Sequence, residues 1–319
     1  MNWFAETRDS YCPRWFDAMQ RAYPERWRVF NRQVSGATLV KRDTTPDRVA
    51  VIISGGGVNG PFIPGFVGEG LADACVVGPP NTAPNAFALY EIARTLGREK
   101  GALLLYNNFM GDYLNNDMAA EMLALEGIRA EQLACCDDMG MARGEPRENR
   151  GGRTAIAHLI KLAAAAAKAG KDLDEVLRLT RKAHSRSVTI CVSADPLSNR
   201  TIYGQGFSGE PGFLECEDAC VQSTAEQTIR LLVEDVRPQK GERAYMLINR
   251  LRMTSYSDSY VMAGFMADAL EKYCPLAQLR VGGYSQITDL YGYTVSLLCA
   301  DEELAPYLEG TVIGDGFII

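Results

Sequence analysis

The stretch Val49–Gly70, VAVIISGGGVNGPFIPGFVGEG, constrains the fold more than any other part of the chain. Five apolar residues, Val49 to Ile53, are what a strand buried on both faces requires. Ser54-Gly55-Gly56-Gly57 then leaves almost no side chain to hold a ligand off the backbone. In open α/β sheets ligands gather beyond the carboxyl ends of strands, where free backbone N–H groups can bind an oxyanion, a phosphate or a hydroxyl. The same glycines would also suit a simple tight connection. The loop is not a Walker A motif, because the Gly-Lys-Ser/Thr ending is missing, and it is not the spaced dinucleotide fingerprint.

Further apolar runs at Ala74–Val77, Ala102–Tyr106 and Glu131–Cys136 predict three more strands. Between them, Asn85 opens a helical pattern with Leu89, Ile92 and Leu96 on one side. A second helix, expected to start near Asn116 and stop at Gly127, carries Met118, Met122 and Leu125 toward the core. This rhythm implies βαβ units and a largely parallel sheet flanked by helices. Helices over Thr154–Ala169 and from Asp172 to about His184 follow. Near Arg186 the pattern changes to successive strands, with one helix at Thr224–Asp235 behind a Ser223-x-x-Glu226 capping box and another at Ser259–Tyr273. The expected organisation is therefore an α/β domain over 1–186 and an α+β domain over 187–319.

Composition excludes several classes. Net charge is −7 with scattered Lys and Arg, which gives little attraction to a nucleic-acid backbone. No apolar run approaches the roughly 20 residues of a membrane helix, and the charged, aromatic N-terminus lacks a secretory h-region, so the expectation is a cytoplasmic protein. Nine cysteines at irregular spacing suit free thiols rather than a disulfide framework or zinc site, and no metal is expected. His158 and His184, the two histidines, both fall in helices; His158 suits packing and His184 a last-turn interaction with the helix dipole.

Several short motifs occur in a recognisable order: Ser54-Gly55-Gly56-Gly57, Gly65-Phe66-Val67-Gly68, Gly111-Asp112 with Leu114-Asn115, Asp137-Asp138, Gly152-Arg153, Gly209-Glu210-Pro211-Gly212 and Thr288-Asp289. In this order and at these separations the chain resembles the sugar-binding subunits of dihydroxyacetone kinases over nearly its whole length. The resemblance implies a two-domain α/β fold of that type, usually a homodimer. It also implies a small ketose bound by the glycine loop, the strand-end aspartate and the Gly-Glu-Pro-Gly loop. No nucleotide binds such a chain itself; ATP or a phosphorylated carrier acts through a partner subunit.

Carried over residue by residue, the match is incomplete. The family's substrate-bonding histidine is replaced by Ser208, and its glycine-loop histidine by Val58-Asn59-Gly60. A family lysine is replaced by Asn107. Asp112 is retained, and the resemblance makes it the base that accepts the proton of the hydroxyl to be phosphorylated. The expected contacts are thus Gly56, Gly57, Asn59, Asn107 and Ser208, with Asp112 as the catalytic group. Loss of the histidines implies that a sugar or polyol is held without a covalent bond. Three functions follow as expectations: a kinase-type subunit that needs a phosphoryl-donor partner, a non-catalytic metabolite-binding regulator, or an isomerase using Asp112.

Overall fold

The computed structural model describes residues 10–57, 62–195, 200–206, 209–217, 219–285 and 290–319. Two compact units form: residues 1–134, 160–181 and 310–316 make the first, and residues 135–159, 182–309 and 317–319 the second. The segment 135–159 thus packs with the second unit, although it precedes the division expected at 186/187.

The first unit is built on a six-stranded sheet with the order β1-β2-β4-β3-β5-β6. Its strands are β1 (Trp27–Asn31), β2 (Ala37–Lys41), β3 (Ala50–Gly57), β4 (Ala74–Pro80), β5 (Ala102–Asn107) and β6 (Ala130–Cys135). β3 runs parallel to both β4 and β5, while β2 pairs antiparallel with β4 and with β1. Continuous apolar sequence makes β3, β4 and β5 buried along nearly their whole length. Helices α1 (Tyr11–Ala22), α2 (Ala86–Leu96) and α3 (Met110–Leu125) belong to this unit. Leu89, Ile92 and Leu96 of α2 join Ile52, Val76 and Leu104 in one core cluster, as their spacing predicts. Asn85 caps α2 by accepting from the Ala88 N–H at 2.8 Å.

Two expectations about α3 are corrected. The helix starts at Met110 rather than near Asn116, so Asp112 lies in its first turn and not in a loop. Its buried residues are Asp112, Asn116, Ala119 and Leu123, while Met118 is 55% and Leu125 90% exposed. Met118 and Leu125 therefore face outward and Met122 is half-buried, because the inner face of α3 is the one that carries the polar Asp112 and Asn116 together with Ala119 and Leu123.

The second unit holds the sheet β11-β10-β12-β7-β8-β9. Its strands are β7 (Ser187–Asp195), β8 (Arg200–Gln205), β9 (Pro211–Glu217), β10 (Arg243–Arg250), β11 (Leu276–Gly282) and β12 (Tyr291–Ala300). Among the described strands of this sheet β10 and β11 pair in parallel and the other pairs are antiparallel, which gives the expected α+β character. Helices α6 (Val221–Val236) and α7 (Tyr256–Leu270) pack on this sheet, and a short α8 (Ala305–Leu308) follows. The capping box of α6 is formed by Cys220 and Ser223, one turn earlier than the Ser223–Glu226 pair. The remaining helices, α4 (Ile156–Lys168) and α5 (Leu173–Ser185), each contribute residues to both units. Among the described residues no helix is long and apolar enough to cross a membrane.

Candidate functional site

In the first sheet the chain passes from β3 to β4 on one side, then through α2 to β5 on the other. β3 and β5 therefore flank the switch point of an open α/β sheet, where such folds form their ligand crevice. The pairing of β3 with β5 ends at Ser54–Tyr106, whereas β3 continues alongside β4 through Gly57. Gly55, Gly56 and Gly57 thus sit inside a strand, with one edge released from the ladder.

Gly56 and Gly57 have packing reasons of their own. A Cβ on Gly56 would lie 2.9 Å from the Thr82 backbone nitrogen, and one on Gly57 would lie 2.3 Å from Cys12 Sγ and 2.9 Å from the Gly78 carbonyl oxygen. Gly111 is similarly close to the same turn, 3.2 Å from Ala83 Cβ. The turn between β4 and α2 consequently nests between Gly56 and the first turn of α3. Gly57→Ala is expected to destabilise the protein by about 2–3 kcal/mol, measured as a lower urea midpoint at unchanged m-value, because backbone must move to admit the methyl.

β5 ends in Asn107, and the chain turns at once into α3: the Phe109 N–H donates to the Asn107 carbonyl at 2.8 Å and the Tyr113 N–H to Phe109 at 2.9 Å. Phe109 provides no side-chain cap, so the first N–H groups of α3 are not satisfied from that residue. This turn brings two site candidates together. Asn107 is 8% and Asp112 7% exposed, and Oδ1 of each is buried without a hydrogen-bond partner among the described residues. Burial pushes the Asp112 carboxyl up to about 7. Among the described residues no basic side chain offsets that effect.

Residues that the sequence showed as motif members or as a helix start, but not as supports of the site, hold this turn in place. Asn116 Nδ2 donates to the Asp112 carbonyl at 2.8 Å and to Ser54 Oγ at 3.0 Å. Asn115 Nδ2 donates to the Gly111 carbonyl at 2.8 Å while its Oδ1 accepts from the Ala86 N–H at 2.9 Å, at the start of α2. The sequence signal was available: two asparagines, each four residues after a member of the Gly111-Asp112 pair. Asn59 and Ser208, the other two candidates, lie outside the described residues.

In the second unit the strand-end pair Asp137-Asp138 is consumed by the fold. Asp137 accepts from the Arg153 N–H at 2.6 Å, the Ala155 N–H at 2.9 Å and the Thr189 hydroxyl. Asp138 pairs with the Arg153 guanidinium and accepts from the Gly140 N–H at 2.9 Å. His184 is not a helix-dipole cation: burial, helped by the nearby Arg147 charge, lowers it to about 4, and its Nε2 accepts the Cys136 N–H at 2.8 Å. Among the described residues no cluster of three His, Cys, Asp or Glu is placed to hold a metal ion.

A two-sheet α/β protein with a polar crevice at a switch point is the class these features define. The chain belongs to the Dak1 domain family, which it matches over residues 18–313. It is 32% identical to the dihydroxyacetone-binding subunit DhaK of the PTS-dependent dihydroxyacetone kinase 2 of Listeria innocua, over 84% of this chain and 85% of that protein. A D-erythrulose kinase of Mycolicibacterium smegmatis is 30% identical over 86% of this chain, but the match spans only 50% of the longer enzyme. The fold is that of the crystal structure of the C. freundii dihydroxyacetone kinase, with a TM-score of 0.87 over 100% of this chain and 61% of that one, at 22% identity. The activities named for these relatives favour a kinase-type reading over a regulatory one.

Proposed function

We propose that the chain binds a small sugar or polyol non-covalently for phosphorylation, with the phosphoryl group supplied by a separate protein. The observation that supports it most is the pair of buried oxygens of Asn107 and Asp112 at the β3/β5 switch point, which have no partner among the described residues. Acceptors desolvated in this way are satisfied by hydroxyl donors. A carboxyl near 7 is half ionised at neutral pH, which suits a group that takes a proton from an attacking hydroxyl. In the step, the ligand oxygen bonds to phosphorus, its proton passes to the Asp112 carboxylate, and the donor's leaving atom departs with the electron pair of its broken bond to phosphorus. Binding without a covalent tether agrees with the histidines: His184 is engaged by Cys136, and His158 is a buried residue of α4.

The donor's approach also has a surface to use. Met110, Leu114, Met118 and Leu125 form one outward stripe along α3, 72%, 54%, 55% and 90% exposed, and the stripe begins two residues from Asp112. The match to the D-erythrulose kinase spans only 50% of that enzyme, and in this reading a phosphoryl-donor subunit with a complementary apolar face docks on the stripe. The test is turnover of dihydroxyacetone, erythrulose and glycerol by the purified chain with an ATP-binding or phosphocarrier subunit; no product from any of them rejects the reading. Leu114→Glu combined with Met118→Glu is expected to cut partner-supported turnover at least tenfold while leaving ligand affinity of the isolated chain unchanged, as read by calorimetry.

A further inference from the structure

Asn116 is 1% exposed in the middle of a helical face otherwise buried through Ala119 and Leu123. Packing alone would favour an apolar residue there, since asparagine is a poor helix former and its burial has to be compensated. Its amide is fully used, however. Nδ2 donates to the Asp112 carbonyl at 2.8 Å and to Ser54 Oγ at 3.0 Å, and Ser54 Oγ lies 3.4 Å from Asn116 Oδ1. Ser54 is the last residue of β3 that pairs with β5 before the two strands part. The link therefore joins α3 to the end of β3, and it grips a helix end whose N-cap residue offers no side-chain bond.

We infer that Asn116, through Ser54, is a positioning residue that fixes the first turn of α3, and with it the Asp112 carboxyl, against the glycine end of β3. The inference rests on the reading of Asp112 as the base. Without the link, the uncapped turn is free to fray, and the carboxyl gains access to water. The Asn115 bridge to α2 remains, so the helix as a whole stays docked and the effect is local.

The experiment compares Asn116→Leu and Ser54→Ala with the parent by 13C NMR titration of the Asp112 carboxyl, assigned by its disappearance in Asp112→Asn. Glycerol and dihydroxyacetone serve as binding probes. Both variants are expected to lower the Asp112 midpoint by at least one pH unit, and to lower kcat at least tenfold more than they raise KM where turnover is measurable. A merely structural Asn116 would lower the melting temperature yet leave the midpoint of the folded protein in place, and that result overturns the inference. If Asn116→Leu does not fold, Ser54→Ala decides, because it leaves the Asp112 carbonyl bond intact and removes only the link to β3. A shifted midpoint in a protein that neither binds nor turns over any probe would uphold the positioning role and reject the kinase reading instead.

Discussion

Asp112→Asn is expected to lower partner-supported turnover by about a thousandfold, within the range set by loss of a positioned general base, and at the same time to make the protein more stable above neutral pH. The two effects share one cause. The carboxyl is 7% exposed, has no partner for Oδ1 among the described residues, and is pushed by burial up to about 7 from an ordinary value of 3.8. Because the folded state holds the proton more tightly than the unfolded chain, stability falls as pH rises from about 4 to about 7 and stays low above that. At about 1.36 kcal/mol for each unit of displacement, the raised carboxyl costs about 4 kcal/mol at pH 8.5, where it is ionised in both states, and about 2 kcal/mol at pH 5, where the folded protein holds the proton that the unfolded chain gives up. The asparagine variant carries no such charge. Urea unfolding should therefore show a gain roughly 2–3 kcal/mol larger at pH 8.5 than at pH 5. Equal gains at both pH values would mean that Asp112 is not held as an unpaired buried acid, and its role as base would fall with it.

The sequence revealed the strands of the first sheet because parallel strands covered on both faces must be apolar throughout, as Val49–Ile53 and Ala102–Tyr106 are. It did not reveal that β3 continues through Gly57, since that depends on pairing with Gly78 and Pro80 across the sheet. The edge strand β1 (Trp27–Asn31) was also missed: only Trp27 is fully buried, so no apolar run marks it. The direction of α3 was misread for a different reason. Met118 and Leu125 keep the spacing of core residues, and only the burial of polar Asn116 on the opposite side shows which face is inside. Asn107 and Asp112 were legible as a strand-end pair. The Ser54–Asn116 link was not, because 62 residues separate its ends.

The second large effect is expected at Asp137, which the sequence presents as another strand-end aspartate of the same kind. Its carboxylate is fully buried and accepts from two backbone N–H groups, the Thr189 hydroxyl and, at 3.2 Å, the Cys135 thiol. Through Arg153 and Ala155 it ties down the approach to α4, and through Thr189 it reaches Ser296 and so ties β7 to β12. Asp137→Ala leaves those donors desolvated, and each such loss costs about 1–3 kcal/mol. Shared relaxation keeps the total below the sum, so about 4 kcal/mol is expected, seen as a fall in urea midpoint and faster hydrogen exchange at the Arg153 and Ala155 amides. Asp137→Asn, which keeps one acceptor oxygen, is expected to lose about half as much. The two isosteric variants thus carry opposite signs above neutral pH: Asp112→Asn gains stability and loses turnover, while Asp137→Asn loses stability and, in the protein that remains folded, leaves KM unchanged. A carboxylate that the fold has satisfied is scaffold, and one left unsatisfied at a crevice is available to a ligand. If both variants destabilise alike, that distinction does not hold for this protein, and Asp112 belongs with Asp137 as part of the scaffold.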